Sequence, residues 1–359
     1  MGNNTKNVKK IDLKKIDMQK LLAPAALVIL YVIFTAFTDN FFTVSYQIKA
    51  VLEASYYIGF MAFGVTFIII TGGIDLSLGT VMMCAALLGG YSFNKGTNLI
   101  LAVLLTVGVG VAFGLFNGIM IAKLKLPPFI ATLGTQMMSM GIGSIITKVQ
   151  SQTWPIAIAK VGGWFKKVFI RTDITGLVED IFPNVNFEEM HPDLLMLLKG
   201  FPVGAFWLFG FFAIAALILH KTKFGRYAYA IGSNEEAARL SGINVDNWKI
   251  GVYALSGFFI GMSALMYAAA YTTITPGTGN GQEMNGITAV VIGGTSMAGG
   301  SGTMVGTLIG VFIMSALKAG LAAFGLQAPW QTFFTGVVVI GAVLLDIQRT
   351  KAANRVKKS

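Results

Sequence analysis

Charge, cysteine and histidine are scarce in this sequence of 359 residues. Asp, Glu, Lys and Arg make up 12% of it, about half of what a soluble protein carries, so an ordinary soluble domain is excluded. Cys84 is the single cysteine, which excludes an internal disulfide and argues against a cysteine-based metal site. His191 and His220 are the only histidines, and neither is placed for general base chemistry.

Sequence motifs of enzymes are absent as well. A phosphate-binding loop needs Gly-x-x-x-x-Gly-Lys-Ser/Thr, and no Gly-Lys pair occurs in the sequence. The zincin motif His-Glu-x-x-His and the nucleophile motif Gly-x-Ser-x-Gly are also missing. We therefore expect that this chain is not an enzyme, that it does not hydrolyse ATP alone, and that it binds no cofactor or metal of its own.

Apolar residues and glycine are abundant. Hydrophobic residues make up 55% of the sequence and 43 residues are glycine, while apolar runs of ~20 residues recur along it. This composition is typical of a membrane-embedded protein. The net charge of +11 comes from lysines and arginines concentrated at the termini and in short loops, which indicates membrane topology rather than nucleic-acid binding.

Ten apolar segments predict an all-α integral membrane protein, a polytopic bundle of about ten transmembrane helices. The count lies between eight and ten, because the eighth segment is short and interrupted by glycine. The first segment lacks a small-x-small cleavage site, so it is interpreted as a retained span and not as a signal peptide. The segments are roughly 21–38, 51–70, 75–92, 98–122, 129–147, 203–220, 250–271, 286–298, 302–323 and 331–347.

Basic residues orient the predicted bundle. The tail 1–20 carries six lysines, and the tail 349–359 carries five lysines and arginines. Because cytoplasmic segments of membrane proteins are enriched in Lys and Arg, both tails are predicted to be cytoplasmic. An even number of spans within 21–348 then places the 148–202 loop outside and the 221–249 loop inside.

The predicted outer loop, 148–202, is long and balanced in charge, with six acidic residues and as many basic ones. A loop of this length is typically functional, and a mobile connection is the alternative that the sequence leaves open. Its stretch 156–171 is interpreted as an amphipathic helix on the outer surface.

Two glycine-rich breaks interrupt the apolar pattern at similar places in the two halves. The first reads TGGIDLSLG at 71–79, and the second reads GGTSMAGGSG at 293–302. Such a pair predicts glycine-broken helices near a transport pathway, because irregular backbone at membrane depth must be buried or line a wet cavity. The alternative is a pair of tight turns at the membrane surface.

Polar side chains within the apolar spans are candidates for a translocation pathway. Asp75 stands out because an ionisable group there is costly; it either contacts a substrate or proton, or caps the helix that follows. Glu53 is expected to be solvated near the outer end of its span, and Glu283 to lie in a polar outer loop. The uncharged candidates, which could instead bond helices to one another, are Asn117, Thr132, Thr135, Gln136 and Asn285.

A charged, helix-prone stretch stands in the basic segment 220–249 and reads EAARLSG at 236–242. Its charges require solvent, and the surrounding lysines and arginines place it in the cytoplasm. A short helix at this position predicts a docking site for a soluble partner. The candidate docking residues are Glu235, Glu236, Ala237, Ala238, Arg239 and Gly242.

Several blocks spread between about residues 20 and 348 together resemble the permease subunits of bacterial ABC importers for monosaccharides, in the ribose/galactose branch. One departure is that the stretch at 236–242 lacks the downstream Ile-x-Leu-Pro of the fuller importer pattern, which leaves the geometry of the docking helix open. The blocks are TGGIDLS at 71–77, PFIATLGT at 128–135, FGR at 224–226, AIG at 230–232, NEEAARLSGI at 234–243 and YALSG at 253–257.

The resemblance implies partners and a location. In that family a second permease copy completes the pore as a homodimer or heterodimer, and a tandem ABC ATPase binds ATP and docks on the EAA segment. A periplasmic or lipid-anchored sugar-binding protein delivers the monosaccharide. The chain would then be a multi-pass protein of the bacterial cytoplasmic (inner) membrane, with the lipid membrane as its surroundings.

Two other classes of transporter are weighed against this interpretation. A cation-coupled secondary sugar transporter needs buried acidic residues that coordinate protons or sodium, and the sequence offers only Asp75, which has a capping explanation. A passive channel does not need a docking loop.

Overall fold

A computed structural model describes residues 18–39, 41–156, 158–183, 185–187 and 189–356 of the chain. Most of the predicted basic tail 1–20 lies outside the described residues, and so do Lys357 and Lys358 of the other tail.

The described chain is predominantly α-helical, with one two-stranded antiparallel sheet in which β1 (Gln152–Thr153) pairs with β2 (Thr273–Ile274). Three short helices lie in the 148–202 loop and two in the 221–249 loop. The helices are α1 (Met18–Phe37), α2 (Val44–Ile70), α3 (Leu78–Asn94), α4 (Leu99–Ala122), α5 (Pro128–Ile146), α6 (Trp164–Phe169), α7 (Thr175–Ile181), α8 (Pro192–Lys199), α9 (Val203–Lys221), α10 (Lys223–Ser233), α11 (Glu235–Leu240), α12 (Val245–Tyr271), α13 (Glu283–Ile292), α14 (Met304–Ala323) and α15 (Ala328–Val356).

Each of the ten predicted apolar segments forms a helix, which confirms a polytopic all-α membrane protein. Seven described helices are long and apolar enough to cross a membrane, namely α2, α4, α5, α9, α12, α14 and α15. The apolar parts of α1, α3 and α13 are shorter. With 10 residues at ~1.5 Å each, α13 reaches about halfway through a ~30 Å hydrocarbon layer.

Helix α2 is the centre of the bundle. In its most apolar window 94% of the residues are buried, compared with 12% in α15. Its first turns include a π-helical stretch, Gln47–Leu52, which carries Lys49. Such an inserted turn shifts the side chains that follow around the helix axis, and it often occurs at functional sites.

Glycine lets α4 and α12 approach one another at backbone distance. Gly110 and Gly114 of α4 face Gly257 of α12, and a Cβ added to any of them would overlap the opposite backbone. Between helices in lipid the hydrophobic driving force is weak, so close backbone packing of this kind supplies much of the attraction. The abundance of glycine in the sequence is explained here by packing.

The 148–202 loop is folded against the end of the bundle. The indole of Trp154 is buried, stacks on Phe165 with ring centroids 4.7 Å apart, and donates from Nε1 to the carbonyl of Ala86 at 3.0 Å. The predicted helix 156–171 is shorter in the structure, because Gly162 adopts a φ of 76° and the helix begins only at Trp164. Phe165 is buried on the bundle, so α6 does not lie free on a membrane surface.

Both glycine-rich breaks connect consecutive helices, and they contact each other. Break 1 (71–77) joins α2 to α3, and break 2 (293–303) joins α13 to α14. The amide of Gly300 in break 2 donates to the carbonyl of Ile70, the last residue of α2, at 2.8 Å. The two halves of the chain are therefore linked directly at their breaks.

Candidate functional site

Asp75 in break 1 is the centre of a buried polar network. It is 4% exposed, and its Oδ1 accepts hydrogen bonds from the amide and hydroxyl of Ser77 at 2.8 and 2.6 Å. Its Oδ2 accepts from Asn117 Nδ2 at 3.3 Å. Asp75 thus supports the start of α3 by binding Ser77, the N-cap residue, rather than by being the cap itself.

The network continues through two further helices. Thr135 of α5 donates from Oγ1 to Asn117 Oδ1 at 2.5 Å, and Tyr253 of α12 donates to the carbonyl of Ile74 at 3.1 Å. The adjoining cavity holds only about 10 Å³, room for roughly one water molecule. Asp75, Asn117 and Thr135 therefore form one packed unit that joins α3, α4 and α5, and not a chamber for a solute.

The three remaining pathway candidates lie elsewhere. Gln136 donates to Asn280 Oδ1 at 2.8 Å, and Asn285 donates to Gln282 Oε1 at 3.0 Å, so both contact the 275–282 segment. Thr132 donates to the carbonyl of Pro128 at 2.9 Å, a bond within its own helix. Three of the six candidates thus lie in the Asp75 network, two contact the 275–282 segment, and Thr132 bonds only within its own helix.

Two acidic residues differ from their predicted surroundings. Glu53, expected to be solvated, is largely shielded and pairs with Arg171 of the 148–202 loop at 2.8 Å. Glu283, expected in an outer loop, is 3% exposed as the first residue of α13, and it accepts from the amide of Gly281 at 3.0 Å. Both differences arise from contacts between residues distant in sequence or from a loop that folds back into the bundle.

A cavity of about 770 Å³ lies at the bundle end that carries the 148–202 loop, and we call it the large cavity. This volume falls within the ~300–1,000 Å³ typical of small-molecule sites. Of the six predicted pathway residues, Asn285 alone lines it. Its side chains come from α2, α12, the 275–282 segment, α13, α14 and α15, and include Lys49, Tyr267, Tyr271, Gln282, Asn285 and Lys318.

Lys318, Tyr267 and Tyr271 were missed by the sequence analysis. A lysine within an apolar segment is a signal that the sequence does contain, since charge inside a span marks function by default. The tyrosines carry no such signal, because aromatic residues are common in apolar helices. No group of three or more His, Cys, Asp or Glu in the described part of the chain is arranged to hold a metal ion.

The predicted docking helix is α11, and charged side chains tie it to its neighbours. Asn234 accepts from the amide of Ala237 at 2.9 Å at the start of α11, and Gly242 with a φ of 82° allows the chain to turn after it. Glu235 pairs with Lys249 at 2.5 Å, and Arg239 pairs with Asp246 at 2.9 Å.

The six candidate docking residues differ in what they leave free for a partner. Partial burial acts to raise the pKa of Glu235, but the hydrogen bonds and charges of Lys249 and Arg239 outweigh it, so the pKa is lowered and Glu235 is ionised. Ala238 is buried, while Glu236 and Ala237 are exposed together with Leu240, which is 85% exposed. An exposed apolar side chain beside two free helical positions is a surface that fits a protein partner.

Helix α10, which precedes the docking helix, packs where the two breaks meet. We call this contact the α10 junction (Ile70, Tyr229, Gly232, Gly300 and Gly302). The hydroxyl of Tyr229 donates to the carbonyl of Gly302 at 2.7 Å. A Cβ added to Gly232 would overlap the carbonyl of Ile70 and approach the amide of Gly300 at 2.6 Å. One short helix therefore connects α11 to break 2 and to Ile70, the residue before break 1.

Comparison with known proteins gives consistent matches along most of the chain. Residues 47–343 match the family described as "Branched-chain amino acid transport system / permease component". The ribose import permease protein RbsC of Escherichia coli K12 is 34% identical over 89% of this chain and 91% of its own length. RbsC of Bacillus subtilis is 35% identical over 93% and 94%. The xylose transport system permease protein XylH of Escherichia coli K12 is 30% identical over 93% of each chain. No solved structure matches at a significant level.

Proposed function

The chain belongs to this family of transport permeases, and we propose that it is the transmembrane subunit of an ATP-driven importer for a monosaccharide of the ribose type. One observation carries the proposal: an exposed docking helix is connected through the α10 junction to both glycine breaks. The names of the ribose and xylose permeases support a pentose as the solute.

The energy would come from a partner. The sequence holds no phosphate-binding loop, so ATP is bound by a separate tandem ATPase that docks on α11. The sugar is delivered by a periplasmic or lipid-anchored binding protein at the end with the 148–202 loop. A second permease copy, identical or homologous, completes the membrane unit.

The proposed orientation in the bacterial inner membrane follows from charge and from the arrangement of the helices. Lys125 and Lys249 are paired with residues at the α11 end of the bundle, and this basic end faces the cytoplasm. The 148–202 loop lies at the opposite end and faces outward. Both termini are then cytoplasmic, since α1 and α15 complete an even number of crossings.

The two polar regions take different parts in transport. The large cavity receives the sugar, with Asn285 and Asn280, which accepts a bond from Gln136, in its polar wall. The packed Asp75–Asn117–Thr135 network closes the route towards the cytoplasm until the breaks move. Docking of the ATPase biases a two-state membrane domain, because α11 moves the breaks through α10.

Reconstitution tests the proposal. Proteoliposomes that hold only this chain should show no concentrative ribose uptake under any imposed ion gradient. Addition of the cognate ATPase, the binding protein and ATP should restore uptake, and a protonophore should leave it intact. Accumulation driven by a gradient through the chain alone would identify a cation-coupled secondary transporter and refute the proposal.

A further inference from the structure

A lysine inside an apolar helix is the feature of the large cavity that the proposed function leaves unexplained. Lys318 lies in the second half of α14 and is the single charged residue of that helix. A charge within a span is costly and marks a functional site by default. Lys318 also lines the large cavity, so its charge acts on whatever enters.

Lys318 is held by an aromatic side chain and not by a carboxylate. Its Nζ donates to the hydroxyl of Tyr57 at 2.6 Å and lies 5.2 Å from the centroid of that ring. Within the described ranges no carboxylate comes within ion-pair distance of Lys318, and Glu53 on the same cavity wall is already paired with Arg171. An ammonium group has three N–H donors, so Lys318 keeps donors and an uncompensated positive charge for the cavity.

The other cavity walls suit a sugar. Tyr267 and Tyr271 lie with ring centroids 4.4 Å apart and offer an apolar surface to the C–H face of a sugar ring. Gln282 and Asn285 bond to each other at 3.0 Å and keep further amide donors and acceptors for hydroxyl groups. An apolar body with a few convergent polar groups is the usual composition of a small-molecule site.

We propose that Lys318 makes the large cavity a subsite for a neutral polyhydroxylated solute and a barrier to cations. Its free N–H groups donate to hydroxyl oxygens of the solute, and its charge repels sodium, protons and cationic amines, as fixed positive charge does in other pores. The solute part of this inference rests on the proposed function. The effect on ions does not depend on it.

The charge is tested by thiol labelling of the full-length chain in membrane vesicles. Thr332→Cys places a thiol on the exposed wall of the large cavity, in a Cys84→Ala background. Two methanethiosulfonate reagents of similar size are compared, one with a sulfonate and one with a trimethylammonium group. The sulfonate reagent should react faster, and Lys318→Met should lower the ratio of the two rates about fivefold, because the part of the attraction and of the repulsion that Lys318 supplies disappears, while Lys49 on the same wall is unchanged.

Two matched variants control this experiment. Lys95→Met removes another lysine placed over a tyrosine ring, 5.5 Å from the centroid of Tyr91, and Lys95 does not line the large cavity. It should leave the rate ratio unchanged. Lys318→Arg keeps the charge and should keep the ratio, which separates loss of charge from misfolding. A ratio that changes less than about twofold in Lys318→Met, or that falls equally in Lys95→Met, would overturn the cation barrier.

The subsite is tested with ribose as the probe. Millimolar ribose should slow labelling of Thr332→Cys at least about twofold when Lys318 is present, and not in Lys318→Met. If the complete importer transports ribose but ribose gives no protection, the subsite is wrong and the proposed function stands. If the importer transports no sugar while Lys318→Met still changes the charge ratio, the proposed function fails and the cation barrier stands.

Discussion

The two glycine-rich breaks resemble each other in sequence but are held in different ways. Break 1 carries a buried acceptor of its own, because Asp75 binds Ser77, and α4 and α12 add bonds from Asn117 and Tyr253. Break 2 has backbone bonds of its own, such as that from the amide of Ser296 to the carbonyl of Ser301 at 3.2 Å, and its remaining bonds come from other elements. Asp346 of α15 accepts from the amide of Met297 at 3.1 Å, and α2 and α10 supply Ile70 and Tyr229.

This difference indicates which break changes shape when the neighbouring helices move. A segment closed by its own buried polar side chains keeps its shape when its neighbours move, since each broken bond would leave a polar group unpaired. A segment held by three separate helices follows whichever of them moves. Break 2 is therefore the element that motion of α10 would shift first, and break 1 is the more resistant of the two.

The largest effect is expected where α10 meets both breaks. Gly232→Ala introduces a methyl group that overlaps the carbonyl of Ile70, so α10 must separate from the breaks. Overpacking of this kind costs ~1–3 kcal/mol, and we expect ATP-driven uptake to fall at least about tenfold while the ATPase still binds. Uptake and co-purification of the ATPase are measured. Gly210→Ala in α9, where an added methyl meets nothing within 4 Å, is the matched control and should transport normally.

Removal of the buried acceptor in break 1 should lower the free energy of unfolding more than removal of one contact to break 2. Asp75→Ala leaves the amide and the hydroxyl of Ser77 without their acceptor, at ~1–3 kcal/mol for each buried group, while Asn117 Nδ2 keeps its bond to Ser77 Oγ at 3.0 Å. Thermal unfolding in detergent should show a clear loss of stability. Asp173→Ala removes the same bonding pattern towards Thr175 from an exposed position and should change stability little. Equal losses in both variants would contradict the assignment of break 1 as internally stabilised.

Removal of one hydrogen-bond partner of break 2 should lower stability less than Asp75→Ala does. Asp346→Ala removes the acceptor for the amide of Met297, at ~1 kcal/mol, while the bonds from Ile70 and Tyr229 remain. We expect uptake to fall two- to threefold, roughly half a kcal/mol in the barrier, with less loss of stability than in Asp75→Ala. Asp346→Asn retains a carbonyl oxygen as acceptor and should restore most of the activity. A stability loss larger than that of Asp75→Ala would reverse the comparison.

The smallest effect is expected from the single bond between α10 and break 2. Tyr229→Phe removes the hydroxyl that donates to Gly302 at 2.7 Å and keeps the ring, for ~0.5–1.5 kcal/mol. The number of ATP molecules hydrolysed per sugar imported should rise, because the coupling loosens while the ATPase stays docked. That ratio is measured in proteoliposomes. An unchanged ratio would show that the hydroxyl has no part in coupling.

Local pattern was enough to predict the helices and the docking stretch. Long apolar runs must form helices in a membrane because every backbone group needs an internal partner, and ten such runs became ten helices. The order Asn234, then Glu-Glu-Ala-Ala, then Gly242 contains its own cap and stop, so α11 could be placed without tertiary information.

Contacts between distant residues were beyond the same reasoning. Glu53 looked solvated because its partner, Arg171, comes more than one hundred positions later in a loop. The α10 junction depends on Gly232 meeting Gly300, and nothing in the sequence shows that these two glycines come together. Asp75 was weighed as a cap or as a contact with substrate, and the structure shows its support of α3, while a substrate contact stays a prediction.

The charged side chains around α11 alternate in sign along one line, from Lys125 through Asp246, Arg239 and Glu235 to Lys249. Each acid is shared by two cations, so the loss of any one cation leaves neither acid alone. Exposed pairs of this kind contribute ~0–1 kcal/mol each and weaken as salt rises. Because Lys125 belongs to the connection between α4 and α5, this line gives the docking helix a second, salt-sensitive attachment, to the helix that carries Thr135 and not to the breaks.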